Sequence, residues 1–174
     1  MYISIAVGIG SSTSSAIGAG GGGSLPLTDA TFNQAITDIL AQDPNGDYDL
    51  APYGKIQNWN VSQVTNMSFA FNQATFNGNI SAWDTRSVTN MRFMFSGALA
   101  FNQPIGNWDV SKVTNMESMF SDALAFNQSL AGWNVSSVID MNNIFENCFA
   151  FNGAIGNWNV GSVENMNSMF LMAT

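Results

Sequence analysis

Histidine is absent from the 174 residues and cysteine occurs once, at Cys148. A single Cys closes no disulfide within the chain, and without His it assembles no ordinary zinc site. The same gaps remove the Ser-His and Cys-His pairs on which the commonest nucleophilic catalysis depends, so neither an enzyme nor a cofactor is expected. Charge is scarce too: 9% of residues are Asp, Glu, Lys or Arg, against about 25% in an average soluble protein. What charge exists is acidic, with four Lys and Arg against twelve Asp and Glu and a net charge of -8. Such a surface repels phosphate backbones and anionic lipid over a Debye length of about 10 Å, so neither nucleic-acid binding nor membrane insertion is expected. No apolar run approaches the roughly 18 residues of a membrane span. The opening "MYISIAVGIGSSTSSAIGAG" lacks the basic n-region of an export signal and a Cys for a lipid anchor.

The sequence is rich instead in a recurring pattern. Trp59, Trp83, Trp108, Trp133 and Trp158 stand 24, 25, 25 and 25 residues apart, the mark of a repeat architecture. Counting each Trp as position zero, position five is always Val (Val64, Val88, Val113, Val138, Val163). Position eight is always Met (Met67, Met91, Met116, Met141, Met166) and position twelve always Phe (Phe71, Phe95, Phe120, Phe145, Phe170). A Phe-Asn pair follows in each full unit, at Phe76-Asn77, Phe101-Asn102, Phe126-Asn127 and Phe151-Asn152, then Ile80, Ile105, Leu130 or Ile155. Positions 5, 8, 12 and 16 (Leu99, Leu124, Phe149 at the last) have helical spacing and predict a short helix with one stripe inward. The "AFNQPIGNW" segment reads as the strand-like return. One helix and one strand per 25 residues predict stacked turns with a shared core.

Ahead of the array, residues 28–58 read as a helical cap: Thr28 or Asp29 starts a helix, Phe32, Ile36, Ile39 and Leu40 form its apolar face, and "DPNGDYD" stops it. Within that stop, Asp43, Asn45, Asp47 and Asp49 alternate like the start of a calcium loop, although Tyr48 and Gly54 stand where an EF-hand needs Gly and Glu. A solvated turn is the preferred reading. Residues 1–27 form a Gly/Ser-rich arm. Its Tyr2, Ile3, Ile5, Val7 and Ile9 suit an extended strand, and ordering it costs about 1–2 kcal/mol per residue. Docking on another subunit would offset that cost. The apolar Phe170, Leu171 and Met172, with no polar cap, form a second candidate assembly interface.

Asn66, Asn90, Asn115 and Asn165, with Asp140 in the same column, suggest an asparagine ladder between turns, in which Asp140 is the weak rung because a carboxylate has no N–H. Cys148 shares position fifteen with Ala98 and Ala123, which predicts a small buried residue. Glu117 with Glu146, or Asp109 with Asp122, would be needed as a glycosidase pair, but neither pair recurs in register. The "NVS" triplets at Asn60 and Asn134 belong to the repeat consensus, and mean glycosylation only in a eukaryotic secretory setting.

The pattern of Trp, Val-Thr-Asn-Met, Met-Phe and Phe-Asn-Gln, as in "NWDVSKVTNMESMFSDALAFNQ", resembles the BspA-like leucine-rich repeat surface proteins over residues 53–174. That resemblance implies a leucine-rich-repeat-like solenoid used for adhesion or protein contact, with no catalytic residues to carry over. The expectation is therefore an α/β solenoid of about 4.5 turns of 25 residues, over residues 59–174, with the cap and arm in front. Its expected function is non-enzymatic: a structural or attachment protein of a larger assembly, namely a phage virion component in a capsid decoration, fibre or tail. It would bind other subunits through the arm, and a host surface receptor or a second copy of itself. The alternative is a bacterial cell-surface leucine-rich repeat adhesin. Either places it on a virion or an extracellular surface.

Overall fold

The computed structural model describes residues 25–173. A short strand β1 (Pro26–Thr28) leads into helix α1 (Asp29–Gln42), and β2 (Asn60–Gln63) pairs in parallel with β1 after a single 3-10 turn at Ile56–Asn58. Thr28 is the N-cap of α1, and its N–H donates to Thr31 Oγ1 at 3.0 Å. Phe32, Ala35, Ile36 and Ile39 are the buried face, so the expected cap helix is present with Ala35 added to its stripe and Leu40 at its half-buried edge. Asp43 ends it: Gly46 takes φ +74°, and any Cβ there would meet Ile56 Cγ2 at 2.6 Å.

After β2 the chain contains neither helix nor strand up to residue 173. The expected α/β solenoid of about 4.5 turns, with one helix and one strand in each, is therefore incorrect: the described residues hold one α-helix and one two-stranded sheet. The repeats are built from turns and bends. Positions ten and fourteen of every repeat lie in the left-handed region, as at Phe69 and Gln73, Phe93 and Gly97, and Ser118 and Asp122, which breaks any helix there. The backbone N–H groups alternate in direction. Those of Met67, Phe69, Phe71 and Gln73 donate to the carbonyls of Asn90, Arg92, Met94 and Ser96 in the next repeat, while Ala70, Asn72 and Ala74 bond three residues back. The same four outward bonds recur from Met91, Phe93, Phe95 and Gly97, and in the two repeats that follow. A helix would keep all of these bonds to itself.

This pairing holds the repeats side by side in parallel register, with Asn66 bridged to Asn90, Asn90 to Asn115, Asn115 to Asp140 and Asp140 to Asn165. The interior is aromatic. Phe71, Phe95, Phe120, Phe145 and Phe170 form one column with centroids 5.4, 5.6, 5.7 and 5.6 Å apart. Each of the first four stacks within its own repeat on Phe76, Phe101, Phe126 or Phe151 at 4.2, 3.9, 4.1 and 4.0 Å. The Trp rings form a third column, and each indole N–H reaches a carbonyl in the preceding segment, as Trp108 Nε1 does to Ile80 O at 3.2 Å and Trp133 Nε1 to Ile105 O at 3.0 Å. Val64, Met67 and Phe71 and their counterparts through the fourth repeat are fully buried, as their fixed positions required.

Position sixteen is the exception. Leu99, Leu124 and Phe149 are 55%, 39% and 50% exposed, not inward. The left-handed residue at position fourteen turns the chain before them, so the helical count that placed them in the core does not extend that far.

Candidate functional site

The side chains that carry chemistry are occupied by the fold. Of Asp43, Asn45, Asp47 and Asp49, Asp43 closes the turn after α1: its Oδ1 accepts the Asn45 N–H at 2.9 Å and its Oδ2 the Asp47 N–H at 3.0 Å. Among the described residues no three His, Cys, Asp or Glu side chains are grouped to hold a metal. Glu117 receives Arg92 Nε at 2.6 Å, and Asp122 receives Asn147 Nδ2 at 2.8 Å. Hydrogen bonds from Ser111 hold the Asp109 carboxyl below its ordinary range, the opposite of what a general acid needs. Burial pushes the Cys148 thiol up to about 12, and its S–H donates to Phe120 O, so it is a packed thiol beside the equally buried Ala98 and Ala123 positions.

The amide column expected to link repeats works differently. Asn66, Asn90, Asn115, Asp140 and Asn165 each accept, through Oδ1, the N–H two residues on, at 3.0, 3.0, 2.9, 2.9 and 3.2 Å. An acceptor suffices for that local turn, so Asp140 is no weaker than its neighbours. The inter-repeat ladder lies in the Phe-Asn-Gln motif. Asn77 Oδ1 accepts Asn102 N–H, Asn102 accepts Asn127 N–H and Asn127 accepts Asn152 N–H, at 2.9, 2.9 and 2.7 Å. Gln103 and Gln128 reinforce it by donating Nε2 to Asn77 and Asn102. The Asn60 and Asn134 side chains close similar local turns onto Ser62 and Ser136.

What remains is surface. A cleft of about 210 Å³ on α1, lined by Ala30, Thr31, Gln34, Ala35, Asp38 and Tyr53, is smaller than the roughly 300–1,000 Å³ of small-molecule sites. Leu99, Leu124 and Phe149 form an exposed apolar line, one residue from each of three successive repeats. Beside the first two repeats, Phe69 stacks on Phe93 at 5.1 Å with the Arg92 guanidinium 4.7 Å above Phe93. At the far edge of the array Phe170, Leu171 and Met172 are exposed together with Val160 and Met166. Tyr2, Ile3, Ile5, Val7 and Ile9 lie outside the described residues. No described helix is long and apolar enough to cross a membrane.

The family model described as "Mycoplasma protein of unknown function, DUF285" matches residues 47–153 and 128–174. The chain belongs to that family. DUF285 is associated with BspA-like surface repeat proteins, which is as far as the resemblance read from the sequence extends. No curated protein and no solved structure matches the chain. In this DUF285 chain, sequence reasoning missed both the exposed line and the true ladder. The signal for the ladder was the Gln that follows Phe-Asn in two of the four units, a donor placed where the Asn column needs one.

Proposed function

We propose that this DUF285 protein is a non-enzymatic contact protein displayed on a cell surface, a BspA-like repeat scaffold that holds apolar side chains in fixed register for adhesion to another protein. The observation that carries this reading is the line Leu99, Leu124 and Phe149. These residues contribute nothing to the core, yet they stay apolar at one position of three consecutive repeats. Exposed apolar side chains gathered in register, rather than scattered singly, are the usual mark of a protein-contact site. A net charge of -8 repels anionic surfaces, which favours short-range apolar recognition. The virion expectation leaned on the arm of residues 1–27, most of which lies outside the described residues, and family membership favours the alternative, a surface protein.

The test is adhesion of protein-coated beads to host cells, alongside protease shaving of intact producing cells. Leu99→Ser, Leu124→Ser and Phe149→Ser together are expected to leave the fold intact, because exposed substitutions change stability by about 0.5 kcal/mol or less each, and to abolish adhesion. Undiminished adhesion by the triple variant, or a chain protected from shaving until cells are lysed, refutes the reading.

A further inference from the structure

Position seventeen is alanine in the same three repeats that carry the exposed line: Ala100 and Ala150 are exposed and Ala125 is half-buried, next to Leu99, Phe149 and Leu124. Large and small apolar side chains therefore run as two adjacent columns along the array. Thr75 holds position sixteen of the first repeat, so the line begins at the second. One flank of it is acidic. Asp122 and Glu146 stand two and three residues before Leu124 and Phe149, and the Asp122 N–H donates to Glu146 O at 2.8 Å, which sets the two side by side in neighbouring repeats. None of the four basic residues shares those positions: Lys55 precedes the array, and Arg86, Lys112 and Arg92 occupy positions three, four and nine.

The spacing of the columns selects their occupant. The ring column four positions before the line advances 5.6 and 5.7 Å per repeat at Phe95, Phe120 and Phe145, and the column two positions after it 6.0 and 5.9 Å at Phe101, Phe126 and Phe151. An α-helix rises about 5.4 Å per turn, so one lying along the array brings its residues i, i+4 and i+7 into step with three repeats. Alternate residues of a strand are about 6.4–6.8 Å apart and drift out of step. A strand would also bury its own N–H and C=O groups against Leu, Phe and Ala side chains that offer no hydrogen bond, whereas a helix keeps its backbone bonds to itself. We propose that the two columns are a docking site for an amphipathic helix of a partner protein. It lies along the array with one apolar residue per repeat, and carries Lys or Arg on the flank that faces Asp122 and Glu146. This inference rests on the adhesion reading and specifies the partner's chemistry.

The probe is a synthetic peptide of about 15 residues with Leu once per helical turn, Ala beside it and Lys on the remaining face, added to the full chain labelled with 15N. Its control has the same residues rearranged so that Leu alternates with Lys as on a strand. NMR titration is expected to show saturable shifts centred on Leu99, Leu124, Phe149 and the neighbouring alanines, with circular dichroism showing the bound peptide helical. The alternating peptide should bind at least about tenfold more weakly. Asp122→Asn with Glu146→Gln should weaken the helical peptide about threefold or more, and Leu99→Ser, Leu124→Ser and Phe149→Ser together should remove its binding. No saturable shifts, shifts centred elsewhere, equal binding by the alternating peptide, indifference to the loss of both carboxylates, or binding that survives the serine variant overturns the proposal. If the serine variant loses bead adhesion while the native line shows no preference for the helical peptide, this inference fails and the adhesion reading stands. Undiminished adhesion by that variant, with the helical peptide still seated on the native line, fails the adhesion reading alone.

Discussion

Replacing Asp29 should unseal the first repeat. In later repeats the N–H at position six points back at the position-six carbonyl of the repeat before, joined in three of the four by the N–H at position seven, as Thr89 and Asn90 do to Thr65 O at 2.8 and 3.3 Å. The first repeat has no predecessor to supply that carbonyl, and Asp29 takes its place. Its Oδ1 accepts Thr65 N–H at 2.7 Å and Asn66 N–H at 3.0 Å, and its Oδ2 accepts the Thr65 hydroxyl at 2.5 Å. Hydrogen bonds to a charged group contribute about 1.5–3 kcal/mol each when sheltered. Asp29 is exposed and water replaces part of each bond, so Asp29→Ala is expected to cost about 2 kcal/mol in total. Asp29→Asn keeps Oδ1 but loses the charge, and should cost about 1 kcal/mol. Burial acts to raise the Asp29 carboxyl, but the bonds from the Thr65 side chain and from the Thr65 and Asn66 N–H groups outweigh it and hold it below 3.8. A depressed carboxyl contributes its stability above the unfolded value and loses it as pH falls through the folded one. The gap between the native chain and Asp29→Asn should be constant near neutrality and close below about pH 3.8. Urea unfolding followed by tryptophan fluorescence reads this, because Trp59, Trp83, Trp108 and Trp133 are at most 4% exposed. A Thr65→Val cycle isolates the pair. An Asp29→Ala chain within about 0.3 kcal/mol of the native one, or a gap that does not narrow as the pH falls below 3.8, refutes the substitution of carboxylate for carbonyl.

Phe120 is fully buried between Phe95 and Phe145 and stacked on Phe126, so Phe120→Ala should cost about 3–5 kcal/mol in urea unfolding. Asp140→Asn should change stability by less than about 0.5 kcal/mol, since either side chain accepts the Asn142 N–H; a gain above 1 kcal/mol in thermal melts would restore the inter-repeat ladder at that column. The Cys148 thiol, pushed up to about 12 by burial, should not react with an aromatic disulfide reagent at pH 8 until the chain unfolds, and rapid labelling of folded protein would refute its packing.

The core was legible because recurrence at a fixed position forces a shared environment: Val64, Met67 and Phe71 could be assigned inward without knowing the backbone. The backbone was not. Buried positions at 5, 8 and 12 fit a helix and also a string of turns, and only the direction of alternate N–H groups separates them. Composition offered little warning, since the left-handed positions are held by Phe69, Ser118, Asn143 and Met172 among others, with glycine only at Gly97. Extending the helical count by four is what buried Leu99, Leu124 and Phe149 on paper. The amide ladder was sought at Asn66 because that residue sits among apolar neighbours, whereas Asn77 follows Phe76 on an exposed corner where an asparagine looks unremarkable. Asp29 was legible only as a helix start, because its partners Thr65 and Asn66 are 36 and 37 residues away.

The left-handed positions also explain why the array is the working unit. Among the described residues nine non-glycine positions adopt positive φ, each at about 1–2 kcal/mol relative to an ordinary conformation. A single repeat has no neighbour to accept its outward N–H groups, and only its own Phe pair, as Phe95 on Phe101, to set against that cost. Side by side, four N–H groups per junction find carbonyls and the column from Phe71 to Phe170 closes at 5.4–5.7 Å, so the strained backbone becomes the favoured one. The energy that fixes Leu99, Leu124 and Phe149 in register therefore comes from junctions between repeats and not from within any repeat. Loosening one junction should blur the apolar line on both sides of it, so under the proposed adhesion role contact would depend on the integrity of the stack as well as on the exposed residues themselves.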